Sequence, residues 1–183
     1  MEAINLPQLL IIAGTGRNSG KTTLACNIIR KYSSLKSIIA LKITPHFHKN
    51  IQSGKVLTDN DNFYIAEETD SSTGKDSSLM LNAGAWKSYF LMAKDENIAE
   101  AFSQILKLIP SDTMLICESG GLRHCVLPGL FLMMENSESG SLKPGAEKLI
   151  LLADRVITFD GEKIDFDFNM LELADNRWTL KQT

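Results

Sequence analysis

Residues 12–23 read IAGTGRNSGKTT, a glycine-rich stretch that joins an apolar run to a helical pattern. The preceding segment 8–14, QLLIIAG, is continuously apolar, which is typical of a strand buried on both faces. The following segment 21–32, KTTLACNIIRKY, places Leu24 and Ile28 on one helical stripe. The stretch therefore predicts a strand, a glycine-rich loop and a helix in immediate succession.

A loop in this position predicts a phosphate site, because backbone N–H groups converge where the helix dipole adds positive charge. The usual pattern is a glycine, four residues, then Gly-Lys-Ser/Thr. Gly20, Lys21 and Thr22 supply the second half, whereas Thr15 stands where the first glycine is expected. We expect Lys21 to reach the β- and γ-phosphates and the Thr22 hydroxyl to bind Mg²⁺. The predicted nucleotide-contacting residues are Gly14, Thr15, Gly16, Arg17, Asn18, Ser19, Gly20, Lys21, Thr22, Thr23 and Lys42.

The rest of the chain continues to alternate between strand-like and helical patterns. Strand-like runs occupy 37–43, 86–93, 113–118, 129–135 and 156–160, and helical patterns occupy 75–84 and 96–109. This alternation predicts an α/β fold, a mostly parallel twisted sheet with helices on both faces, in one domain spanning 1–183.

Two segments do not follow this alternation. The polar stretch 44–74 is longer than ordinary connections, which predicts a functional or mobile loop. The tail is predicted to form a short helix or hairpin that packs Phe166, Phe168 and Trp178 on the sheet.

Composition excludes several classes of protein. The 183 residues include 19 Lys and Arg against 22 Asp and Glu, with no basic cluster, so we expect no nucleic-acid partner. No apolar run is long enough for a membrane helix. Three cysteines without a CxxC pair indicate a reduced, cytoplasmic setting, with Cys26 and Cys117 in the core.

Ligands of parallel sheets bind at the carboxyl ends of the strands, and charged residues fall there. The apolar strand in 115–124, LICESGGLRH, ends at Glu118, where a carboxylate is placed to hold Mg²⁺ or its water. We therefore predict Thr22 and Glu118 as metal ligands. The predicted catalytic residues are Lys21, Glu118 and Asp76, the last chosen from Asp59, Asp61, Asp70 and Asp76.

Histidines and a cysteine lie near these strand ends. His46 and His48 are two residues apart after the second strand, and His124 and Cys125 follow the Glu118 turn. The spacing fixes no third ligand, so these residues are interpreted either as a soft-metal or substrate site or as surface groups.

Two further segments carry a family resemblance. Gly74-Lys75-Asp76-Ser77 precedes a helix, and Asn82-Ala83-Gly84-Ala85 precedes a strand. With the loop at 14–22, these segments resemble the molybdopterin-guanine dinucleotide biosynthesis protein B (MobB) family over residues 8–135. The family's Val-Glu-Gly-Phe-Lys motif is replaced here by Cys117-Glu118-Ser119-Gly120-Gly121.

The resemblance implies a P-loop NTPase with three α/β/α layers that binds Mg²⁺ and GTP or ATP. It also implies slow hydrolysis in the service of a cofactor-biosynthesis enzyme, for molybdenum cofactor or a related metal centre. Relatives often form homodimers, and Arg17 is interpreted either as a contact to a phosphate across that interface or as a side chain that faces solvent. The only stretch similar to a guanine-binding motif is Glu162-Lys163-Ile164-Asp165, so the choice between GTP and ATP stays open.

Two alternatives to the accessory NTPase remain. Gly14-Thr15 and the Glu118-Ser119-Gly120-Gly121 turn resemble dethiobiotin synthetase, which implies an ATP-dependent ligase that activates a carboxylate substrate near Lys42. The histidines and cysteines instead allow a non-catalytic nucleotide-binding module that delivers a metal.

Overall fold

A computed structural model of the protein describes residues 3–47, 54–137 and 142–181. The elements in these ranges are β1 (Ile4–Gly14), α1 (Lys21–Tyr32), β2 (Ile38–Thr44), β3 (Lys55–Asp59), β4 (Phe63–Glu67), α2 (Asp76–Asn82), β5 (Lys87–Ala93), α3 (Ile98–Leu106), β6 (Met114–Glu118), β7 (Val126–Asn136), α4 (Ala146–Ile150), β8 (Arg155–Phe159), β9 (Leu171–Ala174) and β10 (Arg177–Leu180).

Eight strands form one sheet in the order β3-β4-β5-β2-β6-β1-β7-β8. The six strands from β5 to β8 in that order are parallel, and β3 and β4 extend the β5 edge in antiparallel fashion. The prediction of an α/β fold with a mostly parallel sheet is therefore confirmed. The central β1 lies between β6 and β7, which buries the strand before the glycine-rich loop on both edges.

Alternate residues of β1 divide the core between the two faces of the sheet. Leu9 and Ile11 pack in a cluster with α3 and α4, through residues such as Phe102 and Leu149. Leu10 and Ile12 pack in the opposite cluster with α1, α2 and the C-terminal hairpin. Helices thus cover both faces, as the continuous apolar pattern of β1 requires.

The polar stretch 44–74 contains more structure than its sequence indicated. Its residues 55–59 and 63–67 form the antiparallel strands β3 and β4, so the prediction of one long connection was wrong. Phe63 and Ile65 of β4 are buried in the core. The polar residues of β3 and of the connecting turn had obscured this short apolar alternation.

The tail forms the predicted hairpin, with β9 and β10 paired antiparallel. Trp178 is fully buried, and Phe166 and Phe168 pack against the same cluster while staying partly exposed. Cys26 and Cys117 are buried, as expected of core cysteines. Among the described residues, we find no helix with the length and apolar character needed to cross a membrane.

Candidate functional site

The loop between β1 and α1 turns on two left-handed residues, Asn18 with φ 52° and Gly20 with φ 78°. The helix then begins with the N–H of Leu24 donating to the Gly20 carbonyl at 2.9 Å. A Cβ on Gly14 would lie 2.3 Å from Ser19 Oγ, so a side chain at position 14 would displace the hydroxyl that contacts Gly16 and Lys21.

Thr15, which stands where the first glycine was expected, is held mainly through its backbone. Its side chain is buried, its N–H donates to the Met134 carbonyl at 2.9 Å, and its carbonyl accepts from the Lys143 N–H at 2.8 Å. Thr15 therefore fastens the loop to β7 and to the segment before α4, and it lines neither cleft described below.

The Lys21 side chain folds back over the loop. Its Nζ donates to the Gly16 carbonyl at 2.9 Å and to Ser19 Oγ at 3.1 Å. Burial lowers the pKa of Lys21, Glu118 acts in the opposite direction, and the positive charges of Lys42 and Lys143 lower this pKa further. Three lysines therefore converge on one side of the loop, an arrangement suited to an anionic ligand.

The register of the sheet brings Glu118 and Lys42 together. Glu118, the last residue of β6, pairs with Ile12 of β1 on one side and with Lys42 of β2 on the other. Paired residues of neighbouring strands present their side chains on the same face of the sheet. Glu118 and Lys42 consequently meet on the face that carries α1.

Thr22 connects the loop to two carboxylates. Its Oγ1 lies 2.8 Å from Glu118 Oε2 and 3.1 Å from Asp76 Oδ1, the latter at the beginning of α2. The structure thus brings together Thr22, Glu118 and Asp76, three of the predicted site residues. Carboxylate and hydroxyl oxygens at the beginning of a helix after a glycine-rich loop are the donors that Mg²⁺ prefers.

Lys42 completes this group of charges. Its Nζ lies 2.5 Å from Glu118 Oε1 and 2.6 Å from Asp76 Oδ2. Burial by itself lowers the pKa of Lys42, but the two carboxylates outweigh it, so the pKa is raised overall. The Glu118 side chain is 3% exposed and that of Lys42 is 18% exposed, which strengthens the attraction between them.

A first cleft of about 410 Å³ lies over the loop and this charged group. It is lined by Arg17, Asn18, Ser19, Gly20, Lys21, Thr22, Thr23, Lys42, Asp76, Glu118 and Phe159. All but Phe159 were predicted from the sequence. Phe159 was missed because its apolar strand, 156–160, gives no sign that it ends beside the glycine-rich loop.

A second cleft of about 670 Å³ adjoins the first and shares Arg17, Lys21, Lys42 and Glu118 with it. Further residues that line it are Gly14, Gly16, Ile43, Thr44, Pro45, His46, Asp95, Ile98, Ser119, Gly120, Gly121, His124, Lys143, Pro144, Gly145 and Leu149. Lys143 was not predicted, because it lies outside every motif and is brought to the loop by its own N–H bond to Thr15.

The histidines are only partly brought together. His46 and His124 both line the second cleft, whereas Cys125 does not, and His48 lies outside the described residues. Within the part of the chain that the structure describes, no group of three or more His, Cys, Asp or Glu side chains is placed to hold a metal ion.

The segment that resembles a guanine-binding motif forms a tight turn. Asp160 accepts from the N–H groups of Glu162 and Lys163 at 2.9 and 2.6 Å, and Phe159 bridges to Ile164. The turn follows β8 beside the first cleft, but the residues 162–165 do not line that cleft.

Comparison of the chain with protein-family models finds no match, and comparisons with curated proteins and with solved structures find none either.

Proposed function

We propose that this protein binds a purine nucleoside triphosphate, GTP or ATP, with Mg²⁺ and hydrolyses it slowly. The observation that carries the proposal is the meeting of Thr22 with Asp76 and Glu118 at the end of a Gly-Lys-Thr loop. The loop provides backbone N–H groups and the first turn of α1, which together favour phosphate binding. Lys21 is already directed over the loop, where it would contact the terminal phosphates.

The residues present fit a magnesium ion. A hydroxyl carries a single proton, so Thr22 Oγ1 cannot donate to Glu118 and Asp76 at once. Three oxygens with only one proton between them favour a cation. Thr22, Glu118 and Asp76 would hold Mg²⁺, which when bound would neutralise charge on the phosphates.

We expect slow turnover because both carboxylates are already committed to other partners. Asp76 and Glu118 hold Thr22 and Lys42 in this structure and would hold Mg²⁺ when it is bound, so neither is directed at a water that could attack a phosphate. We therefore infer an accessory role in which a partner enzyme accelerates or uses the hydrolysis. The resemblance to the MobB family favours a partner in molybdenum-cofactor or related metal-centre assembly, in the cytoplasm and as a homodimer.

A second candidate is an ATP-dependent ligase of the dethiobiotin synthetase type. The observation that favours it is the second cleft, which is also lined by Lys21 and Lys42 and so adjoins the first. A carboxylate substrate there would lie beside the phosphate site and near the Gly120-Gly121 turn.

The test of the proposed function is binding and hydrolysis of GTP and ATP by the purified chain, with and without Mg²⁺. In Lys21→Ala we expect affinity to fall roughly 10- to 100-fold, since a charge-assisted contact contributes about 1.5–3 kcal/mol. Arg30→Ala is the matched control, because Arg30 lies on the same helix and is exposed.

Each outcome separates the candidates. Magnesium-dependent binding that Lys21→Ala weakens, with slow turnover, supports the accessory NTPase. Turnover that begins only after a small carboxylate or amine is added supports the ligase. Absence of magnesium-dependent binding of either nucleotide contradicts both.

A further inference from the structure

Four side chains form a closed ring at the carboxyl ends of β2 and β6. Asp76 and Glu118 each give one oxygen to Thr22 and the other to Lys42. The ammonium group is 2.5 and 2.6 Å from its two oxygens, and the hydroxyl is 2.8 and 3.1 Å from its own. Lys42 therefore supplies the positive charge that two closely spaced carboxylates need in this state.

The hydroxyl side of the ring is short of positive charge. Thr22 has one proton for two carboxylate oxygens, so one of its two contacts is between oxygens without a hydrogen between them. A cation with two charges, held by these three oxygens, would remove that deficit. Once it is bound, the carboxylates no longer require the ammonium group of Lys42.

The ammonium group of Lys42 can also reach positions away from the two carboxylates. It lines both clefts and keeps 18% of its side chain exposed, whereas Glu118 is 3% exposed and fixed at the end of its strand. A lysine is a compact charge on a flexible stem, so it can be redirected without moving the backbone. The new position would lie beside Lys21, where terminal phosphates are expected.

We propose that Lys42 holds the place of the divalent cation and leaves it when the cation binds, turning its ammonium group to the terminal phosphate. This inference rests on the proposed function for its second half, the contact with phosphate. Its first half, competition between Lys42 and a cation, concerns residues of this chain alone and can be tested without nucleotide. Lys42 is then a phosphate-binding catalytic residue only when the metal site is filled.

The test is direct binding of Mn²⁺, a spectroscopic substitute for Mg²⁺, measured by electron paramagnetic resonance on the protein without nucleotide. Lys42→Met keeps an unbranched side chain of similar length, one atom shorter, and removes its charge. We expect the affinity for Mn²⁺ to rise about tenfold or more, because two carboxylates lose their internal cation. Unchanged or weaker binding of Mn²⁺ would overturn the proposal.

Lys87→Met is the matched control. Lys87 lies on the neighbouring strand β5 and pairs with Glu67 at 2.8 Å, away from the loop. Its removal should leave the affinity for Mn²⁺ within about twofold, since the charge removed is distant and screened. An equal rise in both variants would show an effect of net charge and would also overturn the proposal.

A second measurement uses the unmodified protein, so its result does not depend on whether Lys42→Met folds. Acetylation of Lys42, followed by mass spectrometry, should increase as Mg²⁺ fills the site in the absence of nucleotide. No increase at concentrations of Mg²⁺ that fill the site would contradict the displacement of Lys42.

The second half is tested with non-hydrolysable nucleotides. At Mg²⁺ concentrations that fill the site in both proteins, Lys42→Met should weaken binding of a triphosphate analogue about tenfold while leaving binding of the diphosphate unchanged. Equal losses for both would contradict the contact with the terminal phosphate. If the unmodified protein binds neither nucleotide, the proposed function fails, whereas the Mn²⁺ result still decides whether Lys42 competes with a cation.

Discussion

Gly20 shows how one residue serves both the backbone and the packing of the site. Its φ of 78° lies in the left-handed region, and a Cβ there would be 2.8 Å from Cγ of Phe159. The ring therefore rests directly on the backbone of the glycine-rich loop. The glycine is required twice, once by its conformation and once by the approach of the ring.

Gly20→Ala is expected to lower the free energy of unfolding by about 2–4 kcal/mol, combining left-handed strain with overlap on Phe159. Gly74→Ala isolates the strain, because Gly74 has a φ of 76° and an added Cβ there would have no neighbour within 4 Å. That variant should lose only about 1–2 kcal/mol. Urea denaturation of the two variants and of the unmodified protein measures both losses.

The contribution of Phe159 follows from a double-mutant cycle. In the Phe159→Ala background, the effect of Gly20→Ala should fall to that of Gly74→Ala. An undiminished effect would mean that the ring yields freely and that strain alone makes Gly20 necessary.

At the scale of elements, the position of Asp76 depends on a buried carboxylate beyond the end of β4. Glu68 is 5% exposed and accepts from the N–H groups of Thr69 and Asp70 and from the Ser77 hydroxyl, at 3.1, 3.1 and 2.8 Å. These bonds tie the beginning of α2 to the chain that leaves β4. The bonds to Glu68 therefore help to hold Asp76, the first residue of α2, in contact with Thr22, although this helix is short, with only seven residues.

Glu68→Ala should lower the free energy of unfolding by about 1–3 kcal/mol, because the buried Ser77 hydroxyl and two partly buried N–H groups lose their acceptor. Glu67→Ala is the matched control at the neighbouring position, where the half-exposed pair with Lys87 contributes at most about 1 kcal/mol. Chemical denaturation measures both. Equal losses would show that Glu68 has no special part in holding α2.

The sequence predicts the features that depend on local patterns and misses those that depend on contacts between distant segments. Local apolar patterns predict the residue range of α1 closely. They also place Glu118 at the end of β6 and Lys42 close to the end of β2. Phe159 and Lys143 reach the site through β8 and through a backbone bond to Thr15, contacts that no local pattern expresses. The strands β3 and β4 were missed because polar residues interrupt their alternation.

At the scale of the whole molecule, the C-terminal hairpin of β9 and β10 connects α1 to the sheet. Trp178 donates from Nε1 to the Leu115 carbonyl of β6 at 3.1 Å, and Tyr32 of α1 donates to the Leu171 carbonyl at 2.7 Å. The rings of Tyr32 and Trp178 meet edge to face at 5.4 Å. The hairpin therefore joins the helix that begins at the glycine-rich loop to the strand that ends at Glu118.

A hairpin so placed should unfold together with the sheet and not before it. Trp178→Ala is expected to lower the free energy of unfolding by about 3–5 kcal/mol, because it removes a fully buried ring from the core under α1. Trp86→Ala removes the other tryptophan, which is 53% exposed, and should change stability by about 0.5 kcal/mol or less. In Trp86→Phe, the fluorescence of Trp178 should change at the same urea concentration as the far-ultraviolet circular dichroism. A fluorescence transition at lower urea would instead make the hairpin a separate, weaker unit, and the glycine-rich loop and Glu118 would then be held together by the sheet alone.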